Sequence, residues 1–504
     1  MNKKFLGFAL LLTQMAYAQD KLASQYAELI TTTDLKDNLS IIASDAFEGR
    51  ETGKRGQKLA AAFIANHFDE LGLTAPVNGS HYMPVELVSV KVKDAYVKVG
   101  TTQFSNYAEV IYSGNADSGG EVSLEAVFVG KGTDADYAYV NAKDKAVVVY
   151  IDSLSMNARQ LIRKNAMKAN EIGAKMLFIV AGGKPEAFKN YAAMVKQYLG
   201  NGSLRVKGNE TANPNKGTFL IDQAVASKIF NTSFEKLTKA VNDDAAKKPL
   251  NKIKPSRLVY QVAVESKQVK SENVLGYMEG TDKKDELIII SAHYDHIGIS
   301  AHGEGDRINN GADDDGSGTV SVLQLAKVFA QAKKDGHGPR RSILFLTVTG
   351  EEKGLLGSEY YVSHPVYPLA STVADLNIDM VGRRDPQHNG KPDFVYVIGS
   401  DKLSSELHEI NERNNKTYTQ LDFDYTYNDE KHPDQLYYRS DHWNFAKNNV
   451  PIIFYFDGIH EDYHKPSDEV SKIDFDLLAK RDKAVFYTAW ELVNRDNRIT
   501  VDKK

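Results

Sequence analysis

The segment Ser291-Ala-His293-Tyr-Asp295-His296 and, after a short loop, Gly311-Ala-Asp313-Asp314-Asp315-Gly316-Ser-Gly318 set imidazoles and carboxylates directly behind the apolar run Glu286-Leu-Ile-Ile-Ile290. Such a run reads as a strand buried on both faces. Its polar successor therefore sits at the rim of an open α/β sheet, where ligands bind. Three more strand-like runs end in the same residue types: 342–349 before Glu351-Glu352, 371–376 before Asn377-Ile-Asp379, and 451–456 ahead of Tyr463-His464. Singly, each reads equally as a helix cap or a solvated loop charge. Together, two imidazoles and several carboxylates at one rim would desolvate and repel one another without cations. Nitrogen and oxygen donors without sulfur suit zinc, with cobalt or manganese as substitutes. One carboxylate of the glycine-flanked aspartate triplet is suited to bridge two ions, a recurring hydrolytic arrangement. The adjacent pair Glu351-Glu352 suggests divided labour, one residue binding metal and the other moving a proton.

Rival readings of these motifs fail on chemistry. A calcium loop starting at Asp313 would need a bidentate Glu at its twelfth position, which is Gln324. A phosphate-cradling loop would not carry three carboxylates. His460-Glu461-Asp-Tyr-His464 matches the H-E-x-x-H signature of single-zinc endopeptidases. That chemistry needs a helix, and Gly458 and Pro466 leave little room for one. His460 and Glu461 are then read as rim residues. Tyr463 either donates to a developing oxyanion or packs beside His464. His296, Asp441 and His442 either shape the site or make ordinary loop hydrogen bonds. The aromatic stretch 418–438 either lines a side-chain pocket or covers the core.

The elements that must position these residues follow from periodicity. After Val274-Leu-Gly-Tyr-Met the spacing predicts strands at 286–291, 342–349, 372–379, 393–399 and 450–456, with helices at 317–334, 354–363, 402–414 and 474–494. That order implies α/β architecture, a mixed β-sheet sandwiched by helices. Near the start, helices are predicted at 23–31 and 57–71, separated by the glycine-punctuated loop Ile41 to Gly53. Between these parts the texture turns β-rich, with strands near 88–99, 121–129, 146–151, 175–181 and 217–221, a helix near 156–172, and an exposed loop over 182–216. The predicted organisation is a signal segment (1–18), an N-terminal part of the main domain (19–100), an inserted β-rich domain (101–265), and the rest of the main domain (266–504). The insert gathers no metal-type or nucleophile-type cluster and is read as scaffold or lid.

Composition is that of a globular protein, 504 residues with 42% hydrophobic and 26% charged. Lys3 and Lys4, an apolar run 5–12 and Ala16-Tyr-Ala18 read as a secretory signal cleaved after Ala18 rather than as a buried N-terminal helix. Loss of the two lysines takes the formal net charge from -5 to about -7. Mild acidity without a basic tract argues against a nucleic-acid partner, and no later run reaches the roughly 18 apolar residues of a membrane span. Secreted or periplasmic location is expected. The chain contains no cysteine, which removes disulfides, thiolate metal sites and a lipidated cysteine.

His293-x-Asp295, Gly-Ala-Asp-Asp314-Asp-Gly-Ser-Gly, Gly-Glu351-Glu352-x-Gly-Leu-Leu-Gly-Ser, Asn-x-Asp379-Met and Tyr463-His464-x-x-x-Asp468 resemble, in this order, the motifs of the M28 family of zinc aminopeptidases. Ala43-Ser-Asp-x-Phe-Glu48-Gly-Arg50 and Arg439-Ser-Asp441-His442 are also similar to that family, especially its exported bacterial members, whose protease-associated (PA) domain matches the insert in position. The resemblance implies a secreted aminopeptidase with two zinc ions acting on peptide substrates. It implies Asp314 as bridging ligand, His293 and Asp379 on one zinc, Glu352 and His464 on the other, and Glu351 as general base. Asp295 and Asp468 are implied to orient His293 and His464. Two alternatives on the same scaffold are a glutaminyl cyclase-like acyltransferase with one zinc and a receptor-like binding protein with a vestigial site.

Overall fold

The four apolar runs that precede the candidate ligands lie side by side as parallel strands in the computed structural model, which describes residues 19–154, 158–200, 202–208, 217–242, 250, 252–301 and 303–503. The predicted signal segment 1–18 lies outside the described residues. Two compact units divide the chain, one holding the described residues to Val85 and from Lys270 onward, the other Glu86–Val269.

The first unit is built on β1 (the end of Ser256–Met278), β2 (Lys283–His293), β3 (Arg341–Val348), β4 (Thr372–Ile378), β5 (Phe394–Ile398), β6 (Asp422–Asp424) and β7 (Ile452–Phe456). Their order is β6-β5-β7-β4-β2-β3-β1. Strands β3, β2, β4 and β7 run parallel, with Ile288 opposite both Ile343 and Ala374, and Leu376 opposite Ile453. Strands β1 and β5 flank them antiparallel. The continuous apolar run of β2 is explained by two covered faces. Ile288 and Ile290 pack into the layer of α1 (Lys21–Ala27), α2 (Thr32–Ile42), α3 (Arg55–Glu70), α4 (Gly318–Lys334), α6 (Ser405–Asn414) and α8 (Phe475–Asn494), among Leu39, Ile64, Phe329, Ile410 and Phe486. Leu287 and Ile289 face the opposite layer, with Tyr361 of α5 (Leu356–Ser363) and Phe445 of α7 (His442–Ala446). Each such side chain contributes roughly 1.5–3 kcal/mol on burial, so a polar substitution on either face of β2 breaks a layer.

One local expectation changes. The helix predicted at 23–31 ends at Ala27, and a second helix follows because Thr31 caps it, its hydroxyl accepting from the Asp34 N–H at 3.2 Å. The second unit covers Glu86–Val269, and its first residues belong to the strand Tyr82–Val99.

That second unit is an α/β body in its own right. Strands Val122–Phe128, Ala146–Ile151, Met176–Ala181 and Thr218–Ile221 are parallel neighbours in this order, and Val110–Ser113 closes one edge antiparallel. Helix Pro185–Leu199 occupies much of the stretch predicted as loop. Its Phe188, Ala192 and Val195 recur at helical spacing and are buried, a signal masked by the surrounding Lys and Asn. Helices Gln223–Phe230 and Phe234–Asn242 add further helix to a segment read as β-rich. Among the described residues no helix is long and apolar enough to cross a membrane.

One core residue of the first unit carries a pH prediction. Asp482 of α8 is fully buried, and burial pushes its carboxyl up to about 8. A carboxyl raised from its unfolded value near ~3.9 binds a proton on folding. Stability is therefore greatest below the unfolded pKa and is lost as pH rises toward the folded one. Asp482→Asn is expected to stabilise the protein at pH 8 by about 1–3 kcal/mol. Denaturant unfolding at pH 4 and pH 8 checks this; an equal difference at both values would contradict it.

Candidate metal centre

All four parallel strands end at one rim, and each delivers a candidate ligand there. Strand β2 ends in His293, β3 leads through Gly350 to Glu351 and Glu352, β4 to Asp379, and β7 through a turn to His464. The loop between β2 and α4 supplies Asp314. Its neighbours are spent elsewhere: Asp313 accepts from Gly382 N–H at 2.7 Å and pairs with His460 Nε2 at 3.1 Å. Asp315 accepts from the N–H groups of Gly318 (2.9 Å), Met380 (3.0 Å) and His293 (3.2 Å). Only Asp314 of the triplet turns its carboxylate to the rings of His293 and His464. Gly318 is required here, since a Cβ would lie 2.3 Å from the Ile378 carbonyl oxygen.

Asp314 belongs to two donor groups at once. Its Oδ1 is 3.3 Å from His293 Nε2, which is 3.6 Å from Asp379 Oδ1. Its Oδ2 is 3.1 Å from His464 Nε2, which is also 3.1 Å from Glu352 Oε2. Glu351 belongs to neither group; its Oε2 stands 4.0 Å from His293 Nε2 and faces the same cavity. Burial, reinforced by Glu352 and Asp379, holds the Glu351 carboxyl well above its usual range. Burial acts the same way on Glu352, yet His296 and His464 overcome it and hold that carboxyl down to about 2. The pair is thus split into one carboxylate tied to imidazoles and one poised to take a proton.

Supporting residues differ in part from expectation. His293 Nδ1 is held by the main-chain carbonyl of Asp295 at 3.0 Å, while the Asp295 side chain accepts from Thr52 Oγ1 at 2.5 Å and from the Glu351 N–H at 3.2 Å. Asp295 therefore orients His293 through its backbone and Glu351 through its carboxylate. Asp468 accepts from the N–H groups of Asp313 and Asp314 at 3.0–3.2 Å, so it positions the aspartate loop rather than His464. Tyr463 stacks on His464 with centroids 3.9 Å apart and lines the cavity beside Glu351. Burial, then the nearby carboxylates, keeps its hydroxyl protonated.

The zincin-like motif is no helix. Residues 457–460 are irregular, 461–464 form a turn, and His464 has φ +58°. His460 is buried against Asp313 rather than at the rim, and Glu461 is exposed. His442 is stacked on Phe454 and takes no part in the donor groups; burial lowers its pKa to about 3. Asp441 accepts from Ser358. Within 418–438, Tyr427 and Tyr437 cover the core, while Leu436 lines the cavity with Phe454, Phe456 and Ile459.

Three residues in or near the sequence motifs had no role assigned. Ser440 donates to Asp379 Oδ2 at 2.5 Å. Thr52 fixes Asp295. Arg50, fully buried, donates to the carbonyls of Ile42, Tyr294, Asn310 and Gly311 at 2.6–3.0 Å and so ties the two ligand loops together. A buried arginine with four carbonyl acceptors is a positioning device, legible only once those carbonyls are near it.

The donor set fits a metal. It is all imidazole and carboxylate, and His296 Nδ1, Asp314 Oδ2 and Glu352 Oε1 are buried with no hydrogen-bond partner among the described residues. Buried polar atoms seldom remain unpaired without a ligand.

The sequence profile of peptidase family M28 matches residues 273–489, which hold every candidate ligand. Aminopeptidase YwaD of Bacillus subtilis is 26% identical over 242 residues, 46% of this chain and 47% of that protein. A probable leucine aminopeptidase of Arthroderma benhamiae is 29% identical over 218 residues, 42% of this chain and 55% of its own. The chain thus spans about half the length of these curated relatives. Among solved structures, the aminopeptidase from Aneurinibacillus sp. strain AM-1 shares the fold at a TM-score of 0.56, with 18% identity over 96% of this chain and 98% of that one. A zinc aminopeptidase from Bacillus subtilis gives 0.51, with 18% identity over 94% and 99%. Residues 273–489, with their four ligand-bearing strand ends, match the peptidase family M28.

Proposed function

We propose that the protein is an exported aminopeptidase that uses two zinc ions to hydrolyse the first peptide bond of its substrates. The observation that carries this reading is Asp314, whose two oxygens lie against His293, itself beside Asp379, and against His464, itself beside Glu352, with Glu351 outside these pairs. Zinc ions held there would polarise the scissile carbonyl and make water acidic enough to react near neutral pH. Glu351 takes the proton from the attacking water as its oxygen bonds to the carbonyl carbon. It then delivers that proton to the departing amine as the carbon–nitrogen bond breaks. Asp295 holds the Glu351 backbone in place for both transfers. The Tyr463 hydroxyl donates to the oxygen on which negative charge develops. Leu436, Phe454, Phe456 and Ile459 favour an apolar N-terminal side chain. We assign the unit 86–269 to a PA-like insertion from its position in the chain, and export to cleavage after Ala18.

A panel of aminoacyl-nitroanilides with N-acetylated counterparts, assayed on zinc-loaded protein, tests this. Cleavage is expected only with a free amine, and leucine is expected to exceed aspartate by about tenfold or more. Equal cleavage of blocked and free substrates, or none of either, would overturn the reading.

A further inference from the structure

Resting on the proposed pair of metals, we infer that His296 is a further protein ligand on the Glu352 side, which makes the two metal positions unequal. His296 has no exposed surface, and neither ring nitrogen has a hydrogen-bond partner. Its Nδ1 lies 2.8 Å from Glu352 Oε1 and 3.8 Å from Asp314 Oδ2; neither oxygen accepts a hydrogen bond, and Asp314 Oδ2 has only the ion-pair contact to His464 Nε2 at 3.1 Å. At 2.8 Å a correctly oriented N–H would make a strong hydrogen bond, yet the orientation does not satisfy one. Three converging lone pairs on buried atoms are the arrangement a cation resolves.

The local chain holds the ring in this place. The His296 N–H donates to the Arg50 carbonyl at 3.2 Å, and the ring lies over Gly311, where a Cβ would come within 2.6 Å of His296 Cδ2. Gly311 also has φ +56°, so a side chain there is disfavoured twice. The ring stands edge-on to His464 at 5.7 Å between centroids.

Donor counting then separates the positions. His296, His464, Glu352 and Asp314 supply four donors, the number of a closed zinc site. His293, Asp379 and Asp314 supply three, the number that leaves a place for a reacting molecule. The first position holds its ion tightly and serves as a fixed charge. The second exchanges its ion more readily and faces the cavity lined by His293, Asp379 and Glu351.

Calorimetric titration of zinc into the metal-stripped full-length protein tests this, with X-ray absorption of protein carrying one equivalent. Two classes of site are expected. His296→Ala should weaken the tighter class by about 100-fold or more and leave the weaker class within a few-fold. At one equivalent the absorption spectrum should count two imidazoles, a readout that needs no variant and survives any folding defect of His296→Ala. Two sites of unchanged affinity in His296→Ala, or one imidazole at the first equivalent, would overturn the inference and leave the dizinc reading intact. Failure to bind zinc at all would overturn that reading as well.

Discussion

Glu351→Gln should lower kcat/KM on a free-amine anilide by about 10³-fold, within the range of a lost general base, with zinc content equal to that of the parent protein. Glu351 lies outside both donor groups, so metal binding does not depend on it. Gln keeps the length and shape of the side chain, and the backbone N–H that Asp295 fixes at 3.2 Å is untouched. What is lost is the capacity to accept and return a proton. Burial holds the native carboxyl above its usual range, the direction that favours accepting a proton. Steady-state kinetics paired with metal analysis on the same sample separate this outcome from a ligand defect. Retention of a tenth or more of the activity, or loss of zinc in parallel with activity, would remove Glu351 from the role.

Asp314→Ala should damage both metal sites together. Its two oxygens face different groups, Oδ1 toward His293 and Oδ2 toward His464. Truncation takes a donor from each and leaves buried acids less compensated. Zinc after buffer exchange should fall from two per chain to one or fewer, and turnover to the detection limit. Asp313→Ala and Asp315→Ala make the informative comparison, because those carboxylates hold Gly382, Met380 and His293 by their backbone amides. Their first effect is expected on unfolding free energy, each by about 1–3 kcal/mol. A variant of Asp314 that still holds two zinc ions per chain would contradict the shared role of this aspartate.

The parts legible in the sequence are those that a strand end fixes. A run such as Leu287 to Ile290 declares a strand buried on both faces, and the polar residues just beyond its end must lie at the rim. The placement of His293, Glu352 and Asp379 at the rim needed no more than this, while their division into ligand sets came from the family resemblance. Residues whose meaning depends on side-chain direction were not legible. Asp295 and Asp468 were expected behind the imidazoles, and their carboxylates instead hold amides of Glu351, Asp313 and Asp314. His460 matches a ligand motif but faces Asp313, 147 positions away in the chain. A comparable separation in sequence hides Arg50 and Ser440, whose partners come from other segments. In the second unit, helix Pro185–Leu199 escaped notice because its three buried side chains are outnumbered by polar ones.

Zinc titration of the metal-stripped protein, with amide hydrolysis of a leucine anilide measured at each addition, tests the paired-metal site most directly. Hydrolysis should be absent without zinc, reach its plateau at two equivalents per chain, and vanish again on chelation. Full hydrolysis at one equivalent, or in the absence of metal, would contradict a reaction carried out at Asp314 between two ions.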